Sequence, residues 1–237
     1  MAKPIDIRVR ITRFEYAGSV LFNDFALTVP AGQSIAILGA SGVGKTTLLR
    51  MIAGDQTGAG VEVTVGGIPA AASPAAGYLF QDARLLPWLS AAENIQLVAP
   101  NLTHADIADL LAKVGLPGQG GTYPAALSAG MQQRVGLARA LAVQSGLVLL
   151  DEPFAALDPD TAQKMRETLA SLTGGKTRII VTHDPLDAAM LADRVVMLTG
   201  RPARIGADFV LDQSGGGDLT DRLDRVAGAW ARLGATA

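Results

Sequence analysis

The sequence contains, at residues 39–47, the segment Gly39-Ala40-Ser41-Gly42-Val43-Gly44-Lys45-Thr46-Thr47. Glycine, four residues and then Gly-Lys-Thr is the spacing of a phosphate-binding loop. Glycines let the backbone approach phosphate oxygens closely, and the successive backbone N–H groups then form a concave anion site. We therefore expect the whole segment to bind a nucleoside triphosphate. In that role Lys45 contacts the β- and γ-phosphates, and the Thr46 hydroxyl binds Mg²⁺.

The residues on either side of this loop agree with that prediction. Residues 34–38 are a short apolar run, Ser-Ile-Ala-Ile-Leu, which is typical of a buried parallel strand. Residues 47–53 have a helix-forming composition, and Gly54 marks the end of that helix. A glycine-rich turn before an ordinary helix is the alternative, but the order of strand, loop and helix favours a phosphate-binding loop.

Composition limits the classes of protein to which the chain can belong. Its 237 residues are 49% hydrophobic, enough for a large core, and the formal net charge is −2. A general nucleic-acid-binding protein carries a basic surplus, so we expect no nucleic-acid partner. The chain has no cysteine, which excludes disulfides and thiolate metal sites. The long uncharged stretches at residues 63–81 and 114–133 are broken by glycine and proline, so neither predicts a membrane-spanning helix.

Hydrophobic periodicity divides the chain into regions of different character. Residues 5–38 read as short strands, the first with strict alternation of apolar and charged residues, which predicts an antiparallel sheet beside the nucleotide-binding core. Residues 82–145 have a helical pattern, with Thr103 as one N-cap and Ser128 at the start of a second helix. From residue 146 strands and helices alternate, which predicts a parallel sheet. A last amphipathic helix is expected at residues 219–233, after a glycine hinge at residues 215–217.

Two carboxylates follow a buried strand in the second half of the chain. Residues 147–150 are Leu-Val-Leu-Leu, and Asp151 and Glu152 come directly after them. Since α/β sheets bind ligands at the carboxyl ends of their strands, Asp151 is predicted to hold Mg²⁺ and Glu152 to orient or deprotonate the attacking water. Solvated acids at a strand end are the alternative, which the phosphate loop upstream disfavours. His183 also ends a strand, and we expect it to donate to the γ-phosphate rather than to be purely structural.

Further segments resemble the ATP-binding subunit of an ABC transporter, and the likeness extends over nearly the whole chain. Gln81 stands where that family has its Q-loop glutamine, and residues 127–134, Leu-Ser-Ala-Gly-Met-Gln-Gln-Arg, resemble the family's signature segment. Asp151-Glu152-Pro153 resembles the Walker B end, Ala156-Leu157-Asp158 the D-loop, and His183 the switch histidine. Six such motifs in the family's order make the resemblance specific.

Tyr16 lies upstream of the phosphate loop, in Phe14-Glu15-Tyr16-Ala17-Gly18. A tyrosine in a loop is commonly a half-buried aromatic residue with no further role. The ABC family stacks an aromatic ring on adenine at this point of the sequence, and the resemblance therefore implies that role for Tyr16.

The resemblance implies an α/β fold that combines a RecA-like P-loop core, an antiparallel β-subdomain and an inserted α-helical subdomain. Residues 1–80 and 146–210 are expected to form the core with its β-subdomain, and residues 82–145 the helical subdomain. Residues 211–237 are expected to hold a C-terminal helix. All of these parts belong to a single ABC ATPase domain that spans residues 1–237.

The resemblance also implies ATP and Mg²⁺ as cofactors and assigns roles to individual residues. The expected catalytic residues are Glu152, His183, Gln81 and Lys45, and the expected Mg²⁺ ligands are Thr46, Gln81 and Asp151. Besides the phosphate loop, the residues expected to contact nucleotide are Tyr16, Gln81, Ser128, Gly130 and Asp158.

The expected partners follow from the same family. Two copies of the chain would meet head to tail, with each ATP between the phosphate loop of one copy and Ser128 and Gly130 of the other, where a helix N-terminus completes the anion site. Integral membrane permease subunits would dock the pair at the cytoplasmic face of the inner membrane. An extracytoplasmic solute-binding protein would act indirectly.

Two segments indicate a branch of the family. Residues 80–89, Phe-Gln-Asp-Ala-Arg-Leu-Leu-Pro-Trp-Leu, and residues 200–205 resemble importers of nitrate, sulfonates and taurine. A thiamine-precursor importer is an alternative, as is a soluble ABC ATPase outside transport, although the long inserts of the latter are absent. A nucleotide-dependent switch is a third, which the lack of an Asn-Lys-x-Asp motif disfavours. Trp88 is either an exposed anchor for a partner or a core residue.

Ala129 departs from the family pattern, which usually has glycine there. If the backbone needs positive φ at this residue, alanine destabilises it by about 1 kcal/mol. Otherwise the methyl group narrows the approach to nucleotide. We expect a working but slower site. If the departure is neutral instead, Ala129→Gly should leave both the ATPase rate and the ATP affinity unchanged.

Overall fold

Helices and strands make up most of residues 3–73, 76–211 and 218–234, which are the residues that a computed structural model of the chain describes. The strands are β1 (Ile7–Tyr16), β2 (Ser19–Val29), β3 (Ser34–Gly39), β4 (Val61–Val65), β5 (Ile68–Pro69), β6 (Gly77–Leu79), β7 (Leu147–Asp151), β8 (Thr177–Thr182), β9 (Arg194–Thr199) and β10 (Arg204–Val210). The helices are α1 (Lys45–Ala53), α2 (Ala91–Gln96), α3 (His104–Lys113), α4 (Ala129–Ala142), α5 (Pro159–Leu172), α6 (Pro185–Leu191) and α7 (Leu219–Gly234).

A six-stranded sheet forms the centre of the molecule, in the order β10-β9-β3-β8-β7-β6. Its strands pair in parallel, except that β10 is antiparallel to β9. Strands β3, β7 and β8 are buried along their whole length, which explains the apolar runs at the centre of each. Because these strands are parallel neighbours, their carboxyl ends share one edge of the sheet. The phosphate loop, Glu152 and His183 all lie at that edge.

A second sheet is antiparallel throughout and has the order β2-β1-β4-β5. Buried and exposed residues alternate along the first half of β1, as the sequence predicted. The β1–β2 hairpin turns through Ala17 and Gly18, both with positive φ, and Tyr16 lies at this turn. Phe22 on β2 is fully buried and forms an isolated bridge with Ala203, which joins this sheet to the central one.

The helices α2, α3 and α4, which follow β6 and precede β7 in the sequence, pack together. Helix α3 begins after Thr103, which forms a reciprocal capping box with Asp106. Helix α4 begins after Ser128, whose Oγ accepts from the Met131 N–H at 3.2 Å. The apolar faces of these helices form one hydrophobic cluster with β7 and β8, through Ile95, Ile107, Leu111, Val135, Leu150 and Ile180. This packing fixes the position of α4 against the central sheet.

The predicted helices and parallel strands agree with the structure to within one residue at each end, except that α1 begins at Lys45, two residues before the predicted start at residue 47. The patterns did not predict α2, α6, β6 or β10. Helix α2 has 6 residues and β6 has 3, and such short elements show no periodicity. The predicted C-terminal helix is α7, and the glycine hinge at residues 215–217 lies outside the described residues. Within the described parts of the chain, no helix has the length and apolar character needed to span a membrane.

Trp88 is 69% exposed, in the loop that leads into α2. The interpretation of Trp88 as a core residue is therefore wrong. Its indole ring faces solvent and is available to a partner.

Candidate active site

The phosphate loop ends at an uncapped helix N-terminus. Gly44 is the N-cap of α1, with φ 111°, and no side chain caps the helix there. The first turn of α1 contains no acidic residue, so its N–H groups are left for an anion. A Cβ atom at Gly44 would lie 2.9 Å from the Phe22 ring and would also need a left-handed backbone that favours glycine. The glycine is therefore required for the loop to close over β2.

Lys45 lies beneath the loop rather than in solvent. Its Nζ donates to the carbonyl oxygens of Gly39 at 2.6 Å and Ala40 at 3.2 Å, and the residue is 8% exposed. Burial lowers the pKa of Lys45, and the nearby carboxylates of Glu152 and Asp151 oppose that shift. The result is a buried amine whose hydrogen bonds to two loop carbonyls fix it at the phosphate site.

Asp151 and Thr46 form a pair of oxygen donors at the same edge. The Thr46 hydroxyl donates to Asp151 Oδ1 at 3.2 Å, and Asp151 is 1% exposed. Burial raises the pKa of Asp151, while the Thr46 hydrogen bond and the Lys45 charge oppose the shift. A hydroxyl and a carboxylate side by side match the preference of Mg²⁺ for oxygen ligands, since Mg²⁺ takes its remaining ligands from phosphates and water. The chemistry of this pair fits the ion that the sequence predicted.

Glu152 and His183 form a second polar pair. Glu152 Oε2 lies 2.8 Å from His183 Nδ1, and the Glu152 side chain is 13% exposed whereas that of His183 is 67% exposed. Burial raises the pKa of Glu152, and the His183 charge and hydrogen bond oppose that shift. Glu152 also has φ 49°, which a non-glycine residue adopts at a cost on the order of 1–3 kcal/mol. Its backbone N–H donates to the Val181 carbonyl at 2.8 Å, which helps to hold this conformation.

A buried ion-pair network supports the turn that carries His183. Arg166 on α5 donates to Asp187 at 2.7 Å and to Asp184 at 2.9 Å. The Thr182 hydroxyl donates to the other oxygen of Asp187 at 2.6 Å and accepts from the Asp184 N–H at 3.0 Å. The sequence analysis missed Arg166 and Asp187. No local pattern could have identified them, because the residues that the network joins lie on different elements.

The loop that carries Gln81 is fixed by α4. Arg139 donates to the carbonyl oxygens of Ala83 at 2.5 Å and Arg84 at 3.0 Å, and burial lowers the pKa of Arg139. Arg84 has φ 47° and its guanidinium lies 4.3 Å from the centroid of the Phe80 ring. Sequence reasoning also missed Arg139, because its partners are backbone carbonyls that leave no signal in the sequence.

The predicted residues converge on one cavity of about 500 Å³. Ten of the residues that line it were predicted to bind or act on nucleotide: Tyr16, Ser41, Gly42, Gly44, Lys45, Thr46, Thr47, Gln81, Glu152 and His183. Three further lining residues, Leu21, Ala155 and Arg201, were not predicted. A cavity of similar volume, about 540 Å³, lies between α2 and α3, but it contains neither the phosphate loop nor the strand-end acids. Convergence of polar groups, not volume, identifies the site.

Gly39, Ala40 and Val43 of the phosphate loop do not line this cavity, and neither do three predicted nucleotide contacts from other segments. Ser128 caps α4, and Asp158 caps α5 by accepting from the Thr161 N–H at 3.0 Å. Gly130 packs closely on the D-loop, since a Cβ atom there would lie 3.0 Å from the Ala156 carbonyl oxygen. Gly130 and the D-loop are thus neighbours within one chain. Ser128, Gly130 and Asp158 do not line the cavity that contains the phosphate loop of the same chain.

Ala129 is the first residue of α4 and is exposed. It is not among the non-glycine residues with positive φ, so the strained alternative does not apply. The methyl group costs nothing in backbone conformation. Its remaining effect is to occupy space at the start of the helix.

Comparisons with known proteins agree on one family. A family model described as ABC transporter matches residues 22–155, a range that includes the phosphate loop, Gln81, Ser128 and Glu152. Relatives named aliphatic sulfonates import ATP-binding protein SsuB are similar over most of the chain. The protein from Escherichia coli O6:K15:H31 is 44% identical over 200 residues, which cover 83% of this chain and 78% of the relative. That from Cupriavidus necator is 42% identical, over 82% of this chain and 66% of the relative.

Solved structures agree with the sequence comparison. The dimeric structure of a post-hydrolysis state of the ATP-binding cassette MJ0796, bound to ADP and Pi, superimposes with a TM-score of 0.78 at 26% identity. The superposition covers 88% of this chain and 99% of that one. A second dimeric structure of MJ0796, described as a bacterial ABC transporter cassette, gives the same values.

Proposed function

Because the chain belongs to the ABC transporter family and is an ATPase of that family, we propose that it powers the import of a small solute of the nitrate, sulfonate or taurine type. The observation that carries this proposal is the convergence of the phosphate loop, Glu152 and His183 on one cavity. The solute class rests on the relatives, whose name specifies import of aliphatic sulfonates. None of the residues described in the cavity selects a solute, so selection belongs to the partner proteins.

The phosphate loop and the residues at the rim of the cavity would bind ATP. The uncapped N–H groups at the start of α1 and the buried Lys45 amine receive the phosphates. Tyr16 lies at the rim of the cavity and is 53% exposed, so its ring face is free to stack on adenine. Thr46 and Asp151, with Gln81 on the cavity wall, are the residues that would hold Mg²⁺. The bound ion would supply positive charge to neutralise the phosphate oxygens.

Hydrolysis needs a base near the terminal phosphate. Glu152 lines the cavity, and its carboxylate is positioned by the 2.8 Å contact with His183. In this role the Glu152 carboxylate orients a water molecule for in-line attack and accepts its proton. The imidazolium form of His183, which has a proton on each ring nitrogen, can donate from Nδ1 to Glu152 and from Nε2 to the γ-phosphate. Gln81 on the cavity wall helps to position the same water.

The proposed base can be tested by Glu152→Gln. The amide keeps the shape of the side chain but accepts a proton poorly, so ATP should still bind while hydrolysis falls roughly 10²–10⁴-fold. The measurement is ATP turnover together with the dissociation constant for ATP. Glu167→Gln on the exposed face of α5 is the control and should leave both quantities unchanged. Undiminished turnover in Glu152→Gln would show that another group is the base.

We further propose that the active unit is a head-to-tail dimer. Ser128, Gly130 and Asp158 were predicted to contact ATP, yet they lie outside the cavity of their own chain. A facing copy would bring its Ser128 and Gly130 to this cavity, so that ATP is held between two chains. The dimeric state of the superimposed MJ0796 cassettes supports this arrangement.

The partner at the membrane is proposed to dock on the helical part of the chain. In this proposal residues 1–80 and 146–210 form the nucleotide-binding core and residues 82–145 the helical subdomain. Among the described residues, four of the eight large apolar side chains that are exposed fall in the helical part: Trp88, Leu97, Val98 and Tyr123. Exposed apolar side chains of this kind bind partner proteins. We propose that permease subunits dock there and hold the chain at the cytoplasmic face of the inner membrane, and that an extracytoplasmic solute-binding protein acts on it only indirectly, through those subunits.

The docking proposal predicts that the native protein purifies with an integral membrane protein. Trp88→Ala should reduce that co-purification, because the largest exposed anchor is lost, and should leave the ATPase rate of the isolated chain unchanged. Ile68→Ala, at an exposed apolar residue on β5, is the matched control. A native protein that purifies without any membrane protein would contradict the importer proposal.

A further inference from the structure

Arg201 reaches the nucleotide cavity from the turn between β9 and β10. The residue lines the cavity together with Ser41, Gly42 and Tyr16. Its Nη2 donates to the Gly42 carbonyl oxygen at 3.2 Å, and a Cβ atom at Gly42 would lie 2.8 Å from that nitrogen. A guanidinium group therefore sits directly against the middle of the phosphate loop, although the residue is 159 positions away in the sequence.

The turn that carries Arg201 is hydrogen-bonded to a residue that lines the cavity. Ala203 is 1% exposed, and its N–H donates to the Leu21 carbonyl at 2.8 Å. The same residue forms the bridge to Phe22, and Leu21 itself lines the cavity. These contacts fix the backbone two residues from Arg201. The side chain is exposed but starts from an anchored position.

The charge of Arg201 is available to a ligand. Among the ion pairs of the described residues, Arg201 takes part in none. Lys45, the other basic residue of the lining besides His183, is buried and already faces Glu152 and Asp151. A polyphosphate would thus meet the Lys45 ammonium, whose charge Glu152 and Asp151 partly neutralise, and the Arg201 guanidinium, which forms no ion pair among the described residues.

We propose that Arg201 is a further ligand of the nucleotide and binds its phosphate chain. This inference rests on the proposed binding of ATP in the cavity. A planar guanidinium donates two parallel hydrogen bonds to phosphate oxygens, and it lies against a loop whose backbone wraps phosphates. In the structure the Gly42 carbonyl accepts from Arg201, and the phosphate chain takes the place of that carbonyl when nucleotide binds. Tyr16 serves the base, so the two residues recognise different parts of the same ligand.

The test compares the affinity of variants for two probes, ATP with Mg²⁺ and inorganic tripolyphosphate with Mg²⁺. Arg201→Ala should weaken both by roughly tenfold, since a charge-assisted hydrogen bond is lost. Arg201→Lys keeps the charge without the planar fork and should give an intermediate loss. Arg204→Ala removes a cation three residues away that does not line the cavity, and it should bind both probes as the unmodified chain does.

Three outcomes contradict the proposals in distinguishable ways. If Arg201→Ala binds ATP as tightly as Arg204→Ala does, Arg201 is not a ligand. If ATP binding weakens but tripolyphosphate binding does not, Arg201 contacts the base or ribose and the phosphate assignment is wrong. If the unmodified chain binds no ATP at all, the proposed function fails rather than the role of Arg201. Circular dichroism of each variant checks that the fold is intact.

Discussion

Glu152 combines three properties that agree with its proposed role as the general base. It is nearly buried, it is held by His183, and its backbone has an unfavourable positive φ that its surroundings maintain. Burial raises the pKa of Glu152 above its ordinary range, and His183 is the largest of the causes that pull it back down. Strain and a shifted pKa on one carboxylate are typical of functional residues.

The shifted pKa predicts a specific pH profile. A base works only when ionised, so the ATPase rate should fall as the pH drops through the raised pKa of Glu152. This acid limb should lie at higher pH than an exposed glutamate would give. His183→Ala removes the charge and hydrogen bond that lower this pKa, so the limb should move to still higher pH.

The measurement is the ATPase rate across pH for the unmodified chain and the variant, each scaled to its own maximum. His104→Ala is the matched control, because the other histidine of the chain lies on α3, away from the site. Its limb should coincide with that of the unmodified chain. An acid limb that His183→Ala moves to lower pH would mean that His183 does not stabilise the ionised carboxylate.

Candidate site residues could be recognised in the sequence where they belong to a local motif. The phosphate loop, Glu152 and His183 each belong to a short motif, and the structure places them around one cavity, while Asp151 does not line it but accepts from the Thr46 hydroxyl. Arg201 and Arg139 could not be predicted, because each acts on a backbone carbonyl far away in the chain. A carbonyl contact constrains no side chain at the accepting residue and so leaves no pattern to read.

At the scale of elements, α4 connects two parts of the site. Its first turn carries Ser128 and Gly130, which we propose to face a second copy, and near its end Arg139 holds the carbonyls of Ala83 and Arg84. The loop that follows Gln81 is thus tied to the same rigid helix as the signature segment. A helix that is buried against β6 and β7 moves as one body, so both ends shift together.

Arg139→Ala tests this connection. Two carbonyls lose their donor, the loop that follows Gln81 loosens, and the maximal ATPase rate should fall roughly tenfold while ATP affinity changes little. Arg139→Lys should recover part of the rate. The readouts are the maximal rate, the ATP dissociation constant and the free energy of unfolding.

Arg222→Ala is the matched control for the Arg139 variant. Arg222 lies on α7 and donates to the carbonyl of Ala192, away from the Gln81 loop and from the signature segment. Both variants should lower the free energy of unfolding by about 1–3 kcal/mol, since each removes the donor to at least one backbone carbonyl. Only Arg139→Ala should lower the maximal rate. An equal loss of rate in both variants would show that Arg139 acts only through stability.

The helices that are long enough to show hydrophobic periodicity could be predicted from the sequence, whereas the short α2 and β6 could not. Helices α4 and α5 have 14 residues each, and their boundaries could be read from the sequence. Helix α2 and strand β6 are held by tertiary contacts instead. Asn94, fully buried in α2, donates to the carbonyls of Leu86 and Leu89, so a side chain rather than a pattern fixes the loop that precedes the helix.

At the scale of the whole molecule, the parallel order of β3, β8 and β7 decides where the chemistry occurs. The three strands could be recognised individually from their apolar runs, but their order in the sheet could not. That order puts Lys45, His183 and Glu152 around one cavity although they lie far apart in the sequence. Ser128 and Gly130 do not line this cavity. In the proposed head-to-tail dimer, each chain would supply the phosphate-loop half of one site and the Ser128 and Gly130 half of the other.

Complementation between two inactive variants tests whether these halves belong together. Lys45→Ala disables the phosphate loop, and Ser128→Arg blocks the segment that would face a second copy, so each variant alone should lack ATPase activity. In a mixed head-to-tail dimer one site combines the two damaged halves, and the other combines the two intact halves. An equal mixture should therefore recover roughly a quarter of the unmodified activity, because half of the randomly formed dimers are mixed and each has one working site. A double variant mixed with either single variant contains no intact pair and should stay inactive. If the mixture of single variants also stays inactive under conditions in which dimers form, the two halves do not meet across chains and the composite site is wrong.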